Sequence, residues 1–280
     1  MPTTRIQDKS RGKGKKKRRS MAERADKHVL YEKSVQCVES EIDFIDETFR
    51  ELRGRKARVL REDFCGTANT SCEWVRRRRR NRAIGVDLDA DVLKWGRKHN
   101  VAKLKDAASR ITLVNENVVE VQTEPVDAVL AMNFSYWILM QRQLMRTYFQ
   151  RVHDALTNDG IFFLDAFGGS DAYLEEKEKT KIGRFTYIWD QASFNPVNAE
   201  CVCYIHFKFA DGSKLRKAFS YTWRLWTVPE IREILEEAGF SRSTVYLQGT
   251  DDDGEGDGEF EPAERGDADA AWIAYIVAER

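Results

Sequence analysis

Four residues between positions 62 and 87 have the types and spacing to hold a nucleoside. Glu62 and Asp63 close a strand-like run over 57–62, and Gly66 stands in the turn Phe64-Cys65-Gly66-Thr67-Ala68. Asp87 follows Ala83-Ile84-Gly85-Val86, 21 residues beyond Gly66. The chemistry is binding chemistry. A glycine turn lets a ligand approach the main chain, the next helix presents its N-terminal N–H groups, and a carboxylate at the second strand end accepts ribose hydroxyls. Thr70 and Glu73 have capping-box spacing, which predicts that this helix starts near Thr70.

The elements that must position these residues alternate along the chain. Strand-like runs at 57–62, 82–87, 111–114, 126–132 and 160–166 are interleaved with helical patterns at 70–80, 90–104 and 139–156. That order predicts an α/β fold with a parallel sheet covered by helices on both faces. Residues 28–54 carry helical periodicity through Val35, Val38, Ile42, Ile45, Phe49 and Leu52. After Gly169 the pattern changes to three aromatic and β-branched runs, near 184–190, 200–209 and 214–226, which read as an antiparallel insertion. A helix over 227–238 opens on a Thr227/Glu230 capping box. Strands near 243–248 and 271–278 flank an acidic segment, 250–269, expected to be a flexible loop. The domain expectation is a disordered basic tail over 1–27 and one domain over 28–280, with 184–226 inserted.

The two acids before Gly66 discriminate between nucleotide ligands. They would repel the pyrophosphate of a dinucleotide such as NAD and attract the ammonium of a methionine-like group. Three glycines of a dinucleotide loop are also absent. The segment resembles the first motif of class I S-adenosylmethionine-dependent methyltransferases, in which V-L-D-L-G-C-G-T-G is typical and this chain reads Leu60 to Ala68 as LREDFCGTA. The resemblance runs over about residues 28–280, in a branch whose substrates are poorly characterised. It implies a Rossmann-like sheet of seven strands, mostly parallel with the last antiparallel, and S-adenosylmethionine as cofactor. Glu62 falls on the motif acid, Gly66 on the central glycine and Asp87 on the ribose acid; Phe64 and Ala68 replace the outer glycines. Asp63, Phe64, Cys65, Thr67, Leu88 and Val118 border these positions and join the expected cofactor set, as does Asn133 after the fourth strand. Asn117 falls where relatives place an acid near the adenine amino group, and an Asn carbonyl also accepts.

Methyl transfer from a sulfonium needs alignment more than acid–base groups, so the acceptor side is sought among positioning residues. Asn133-Phe134-Ser135-Tyr136-Trp137 follows the fourth strand, and Asn133 and Tyr136 are candidates to line the acceptor pocket. Tyr31 precedes the sheet, and related small-molecule enzymes imply a covering helix with an aromatic hydroxyl there. Tyr221 and Trp223 alternate with Arg224 and Trp226. The aromatics suit a cation, and Arg224 suits an acceptor carboxylate. The expectation is a small amine, carboxylate or alcohol acceptor. The alternatives are an RNA or protein acceptor docked by the basic tail and Arg76–Arg80, and a non-catalytic cofactor-binding module.

Composition sets the outer bounds. Lys plus Arg and Asp plus Glu are equal at 46 each, yet residues 1–27 hold eleven basic side chains against three acidic ones. That tail suits a nuclear address or a nucleic-acid tether. No apolar run spans a bilayer, and no secretory signal is legible. Five cysteines and four histidines show no metal spacing, so the expectation is a reduced, cytoplasmic or nuclear, metal-free monomer or dimer.

Overall fold

The computed structural model describes residues 19–250 and 256–280. The chain opens with two short helices, α1 (Met21–Arg24) and α2 (Lys27–Ser34), then α3 (Val38–Arg53). The alternating part follows: β1 (Val59–Asp63), α4 (Asn69–Arg77), β2 (Arg82–Asp87), α5 (Ala90–His99), β3 (Ile111–Asn115), β4 (Val126–Ala131), α6 (Arg142–Ala155) and β5 (Leu156–Gly168). The insertion is β6 (Lys177–Ile182), β7 (Phe185–Asn195), β8 (Glu200–Phe209) and β9 (Lys214–Arg224). The chain closes with α7 (Val228–Glu237), β10 (Arg242–Thr250), β11 (Gly256–Pro262) and β12 (Trp272–Glu279).

Two sheets result. The main one has eight strands in the order β3-β2-β1-β4-β5-β12-β10-β11, and the second is β6-β7-β8-β9. Strands β1 to β5 pair in parallel, whereas β12 is antiparallel to both β5 and β10. Every residue of β4 is buried, as expected for a central parallel strand covered on both faces. Ile42, Ile45 and Phe49 of α3 and Trp74 of α4 pack with Leu60, Ala128, Leu130 and Phe163 on one face. On the other, Met145, Tyr148 and Phe149 of α6 and Ile231 and Ile234 of α7 pack with Val86, Val129 and Leu164.

The structure departs from the sequence expectations at four places. The tail boundary at residue 27 is too late, because α1 is ordered against the insertion: the Met21 N–H donates to Asp211 at 2.8 Å and the Ala22 N–H to Ser213 at 3.0 Å. Residues 1–18, the remainder of the expected tail, lie outside the described residues. The expected loop 250–269 contains β11, which pairs antiparallel with β10 and adds an eighth strand; residues 251–255 are outside the description. The insertion starts at Lys177, because β6 reads KEKTKI, a charged edge strand that hides from hydrophobic patterning. The periodic segment 28–54 is broken between Ser34 and Val38 into α2 and α3. That break frees α2 to lie on the second sheet, where Leu30 packs with Ile205, Phe207 and Phe209.

Candidate functional site

The first strand of the sheet ends in a turn with three left-handed residues. Phe64, Gly66 and Ala68 have φ of 56°, 50° and 56°. Bulky side chains resist this region, so the conformation of Phe64 has to be held from outside. Its ring meets Tyr148 of α6 edge to face at 5.8 Å, and the Cys65 N–H donates to the Val86 carbonyl at 3.0 Å. The neighbouring helix clamps the turn as well. A β-carbon on Gly96 of α5 would stand 2.5 Å from the Thr67 carbonyl oxygen, so only glycine fits there.

The expected Thr70/Glu73 capping box does not form. Helix α4 has no side-chain cap from Ala68, and Thr70 donates instead to Glu41 at 3.4 Å. Glu62 supplies the cap from the adjacent strand, accepting from the Ser71 N–H at 2.8 Å and its hydroxyl at 2.5 Å. A carboxylate at a helix N-terminus is favoured by the helix dipole. Asp87 closes the turn from the other side, accepting the Gly66 N–H at 2.8 Å and the Asp89 N–H at 2.9 Å. Asp63 faces away, toward α6. Its carboxylate takes Nε and Nη2 of Arg61 at 2.7 and 2.9 Å and the Tyr148 hydroxyl at 2.8 Å.

A cavity of about 280 Å³ opens above this turn, at the carboxyl ends of β1, β2 and β4. Glu62, Asp63, Phe64, Cys65, Gly66, Thr67 and Asp87 all line it, with Asn133. Its roof is α2 and β9, through Lys27, His28, Tyr31, Phe219 and Tyr221. The roof is fastened: Glu32 accepts from Thr67 at 2.7 Å and from Asn100 at 2.6 Å, and Asp26 accepts from the Trp95 indole at 2.8 Å. A second cavity, about 490 Å³, lies between the main sheet and the insertion. Tyr31, Asn133 and Tyr221 line both cavities and form their common wall. The Tyr31 and Tyr221 phenols are near enough at this wall to influence each other's ionisation.

Other expected site residues stand elsewhere. Tyr136 is fully buried and donates its hydroxyl to the Asp165 carbonyl at 2.7 Å, so it serves the core. Arg224 is committed to Glu230 at 2.8 Å and lies over the Trp226 ring at 3.7 Å, and it lines neither cavity. Leu88 is 73 % exposed outside both cavities. Asn117 accepts from the Val119 N–H at 3.1 Å in its own turn, and Val118 is buried with its carbonyl 3.4 Å from Arg61. The basic run Arg76–Arg80 is remote. Arg78, Arg79 and Arg80 border a groove with Arg55, Arg58 and Arg82, at the start of β1 and β2. Arg76, Arg77 and Arg78 are paired with Glu73, Asp43 and Asp46. Among the described residues no His, Cys, Asp and Glu cluster could hold a metal, and no helix is long and apolar enough to cross a membrane.

Sequence reasoning did not find Gln191, Asp171, Glu176 or Trp272, which line the second cavity. It also missed Asp165. That carboxylate accepts the Asn133 and Phe134 N–H groups at 2.6 and 2.8 Å, fixing two consecutive left-handed residues at the rim (φ 59° and 54°). Acids interrupting apolar strands were the available signal, and Leu164-Asp165-Ala166 is one such interruption.

Burial pushes the carboxyls of Glu62 and Asp165 up to about 8, and Glu41 up to about 7, from ordinary values of 4.5, 3.8 and 4.5. The folded chain therefore holds protons that the unfolded chain releases above the ordinary carboxylate range. Stability is expected to fall as pH rises through this window to about 8, each such group contributing up to ~1.4 kcal/mol per pH unit. Urea unfolding at about pH 6 and about pH 8 checks the sign, and Glu62→Gln should flatten the slope. A slope that rises with pH would show these carboxyls ionised in the folded protein.

Residues 63–164 match the model of a methyltransferase domain family. No curated protein matches the sequence. The fold is similar to that of an S-adenosylmethionine-dependent methyltransferase from Clostridium acetobutylicum, with 15 % identity and a TM-score of 0.68 over 90 % of this chain and 96 % of that one. An amino pentose methyltransferase from Micromonospora echinaspora, solved with S-adenosylmethionine bound, superposes at 14 % identity and TM-score 0.64, over 90 % and 95 % of the two chains. A sugar N-methyltransferase from a Streptoalloteichus species has 14 % identity and TM-score 0.62, over 100 % and 98 %. The chain thus has the fold of the S-adenosylmethionine-dependent methyltransferases to which it is similar, and its residues 63–164 resemble a methyltransferase domain family.

Proposed function

We propose that this chain transfers a methyl group from S-adenosylmethionine to a small-molecule acceptor. The observation that carries the reading is the pair of cavities meeting at Tyr31, Asn133 and Tyr221. The smaller cavity suits the donor. Glu62 lines it, is only 7 % exposed and has no cationic partner among the described residues, so a ligand with a positive centre would favour its ionised form and be held by it. Asp87 would accept the ribose hydroxyls, the Gly66–Thr67 main chain would border the ligand, and Glu62 would lie on the side of its positive end. When bound, S-adenosylmethionine supplies an electrophilic methyl carbon on a sulfonium.

The chain's own residues then have a positioning task. Tyr31, Asn133 and Tyr221 hold the acceptor against the donor cavity, and α2 and the insertion keep bulk water from the junction. Tyr31, Asn133 and Tyr221 would present the acceptor nitrogen or oxygen to that methyl carbon, and an acceptor that arrives protonated would have to lose its proton before transfer. Burial pushes the Tyr31 phenol up to about 12, so it remains a hydrogen-bonding group rather than a base near neutral pH. A small acceptor is supported by the enclosure of the second cavity under the insertion, and by the sugar substrates in the names of two structural neighbours. A polymer reading draws on the basic run, which borders neither cavity.

Calorimetry with S-adenosylmethionine and its demethylated product tests the donor site, and a labelled methyl donor in a metabolite extract tests the transfer. Binding of neither compound would sink the proposal. Tyr31→Phe is expected to lower turnover by about tenfold to a hundredfold with donor affinity unchanged. An equal loss in both would place Tyr31 in cofactor binding instead.

A further inference from the structure

We propose that the second cavity selects an acceptor bearing a cationic nitrogen on an apolar or ring-shaped body, and that Gln191 is the residue that sets this choice. The proposal rests on reading this cavity as the acceptor site.

The charge of the wall is the first ground. Asp171, Glu176 and Asp269 line the cavity, and among the described residues no Lys, Arg or His does. A carboxylate acceptor entering here meets like charges only, which the low-dielectric wall makes costly. Arg224 could have reversed this, but its guanidinium is held by Glu230 and Trp226 away from the cavity.

Gln191 is the second ground, and it is independent of the acids at the mouth. Its side chain lines the cavity although the residue is only 7 % exposed. Both amide protons are spent locally, donated to the Asp171 carbonyl at 2.9 Å and the Leu174 carbonyl at 2.7 Å. Those two acceptors fix the orientation of the amide. Oε1 is left as an acceptor that receives no hydrogen bond from any described residue. An acceptor on the cavity wall with its own donors spent recognises an N–H or O–H group, a charged ammonium N–H more strongly than a neutral O–H, and it repels a second acceptor.

The body of the ligand is read from the third ground. Trp189, Tyr221 and Trp223 line the cavity, with Tyr221 and Trp223 stacked at 4.5 Å between ring centres and Trp189 6.0 Å from Trp223. Aromatic faces attract a cation and cover an apolar ring at once.

The test is quenching of tryptophan fluorescence with the demethylated cofactor product held at saturation. Benzylamine, phenethylamine and cyclohexylamine are each titrated against the carboxylate and the alcohol of the same ring. The expected result is that the amines bind at least about tenfold tighter than the matching carboxylates. Gln191→Leu is expected to weaken amine binding by about tenfold to a hundredfold, to shrink the amine-to-alcohol ratio, and to leave calorimetric binding of the cofactor product unchanged. No amine binding tighter than its carboxylate partner, or an amine-to-alcohol ratio unmoved by Gln191→Leu, overturns the proposal. Failure of the parent chain to bind the cofactor product is a separate result that sinks the methyltransferase reading itself.

Discussion

Asp87→Ala is expected to lower the affinity for S-adenosylmethionine by roughly 10²-fold. Two hydrogen bonds from ribose hydroxyls to a charged acceptor are at stake, each worth about 1.5–3 kcal/mol. The variant also orphans the Gly66 N–H, which now donates to Asp87 at 2.8 Å, so the turn loses a strut as well as a ligand contact. Asp87→Asn separates the two effects. It keeps one acceptor for Gly66 and gives up the charge, so its affinity should fall between the parent and the alanine variant, with the parent's thermal stability largely restored. Calorimetric titration is the measurement. Affinity within a few-fold of the parent for Asp87→Ala would remove Asp87 from the donor site.

The largest effect on stability is expected one strand away. Asp63→Ala should destabilise the fold by about 3–5 kcal/mol, because it leaves a buried guanidinium without its counter-charge. The Arg61 and Asp63 side chains are both fully buried in a two-bond pair, and Tyr148 completes the Asp63 carboxylate. Arg61 already has an unsatisfied Nη1 in the described structure, so it has no reserve of partners. Removing every polar group together, as in Arg61→Met, Asp63→Leu and Tyr148→Phe, should recover most of that loss, since a well-packed apolar substitute costs little. Urea unfolding of the single and triple variants gives both numbers. A loss under about 1 kcal/mol for Asp63→Ala would mean that the pair is not buried in solution.

The wall of the smaller cavity was legible in the sequence because its pieces are local. Glu62 and Gly85 are register partners on adjacent parallel strands, so the ends of β1 and β2 arrive side by side once the strand–turn–helix–strand order is recognised. The wall of the second cavity was not. It draws Tyr31 from α2, Gln191 from β7, Tyr221 from β9 and Trp272 from β12, residues joined only by tertiary packing. Tyr136 and Arg224 show the converse problem. Their residue types suit a pocket, and only the fold reveals that Asp165 and Glu230 already engage them. Thr70 and Glu73 satisfied a local rule that the tertiary structure overrode, since a carboxylate from the neighbouring strand reached the helix end first. The eighth strand, β11, escaped because an acidic, glycine-rich segment has neither the alternation nor the β-branched content of a strand.

The turn over Phe64, Gly66 and Ala68 has a consequence for the entropy of ligand capture. Three glycines would leave such a loop free to wander in the unliganded protein, and a ligand would have to immobilise it. Here a phenylalanine and an alanine occupy left-handed angles that they seldom adopt, held by Tyr148 and by the close seat of Gly96 on Thr67. The conformational search is completed when the chain folds. A ligand of the proposed donor class would therefore meet a mould already set, and its binding should carry a small ordering penalty.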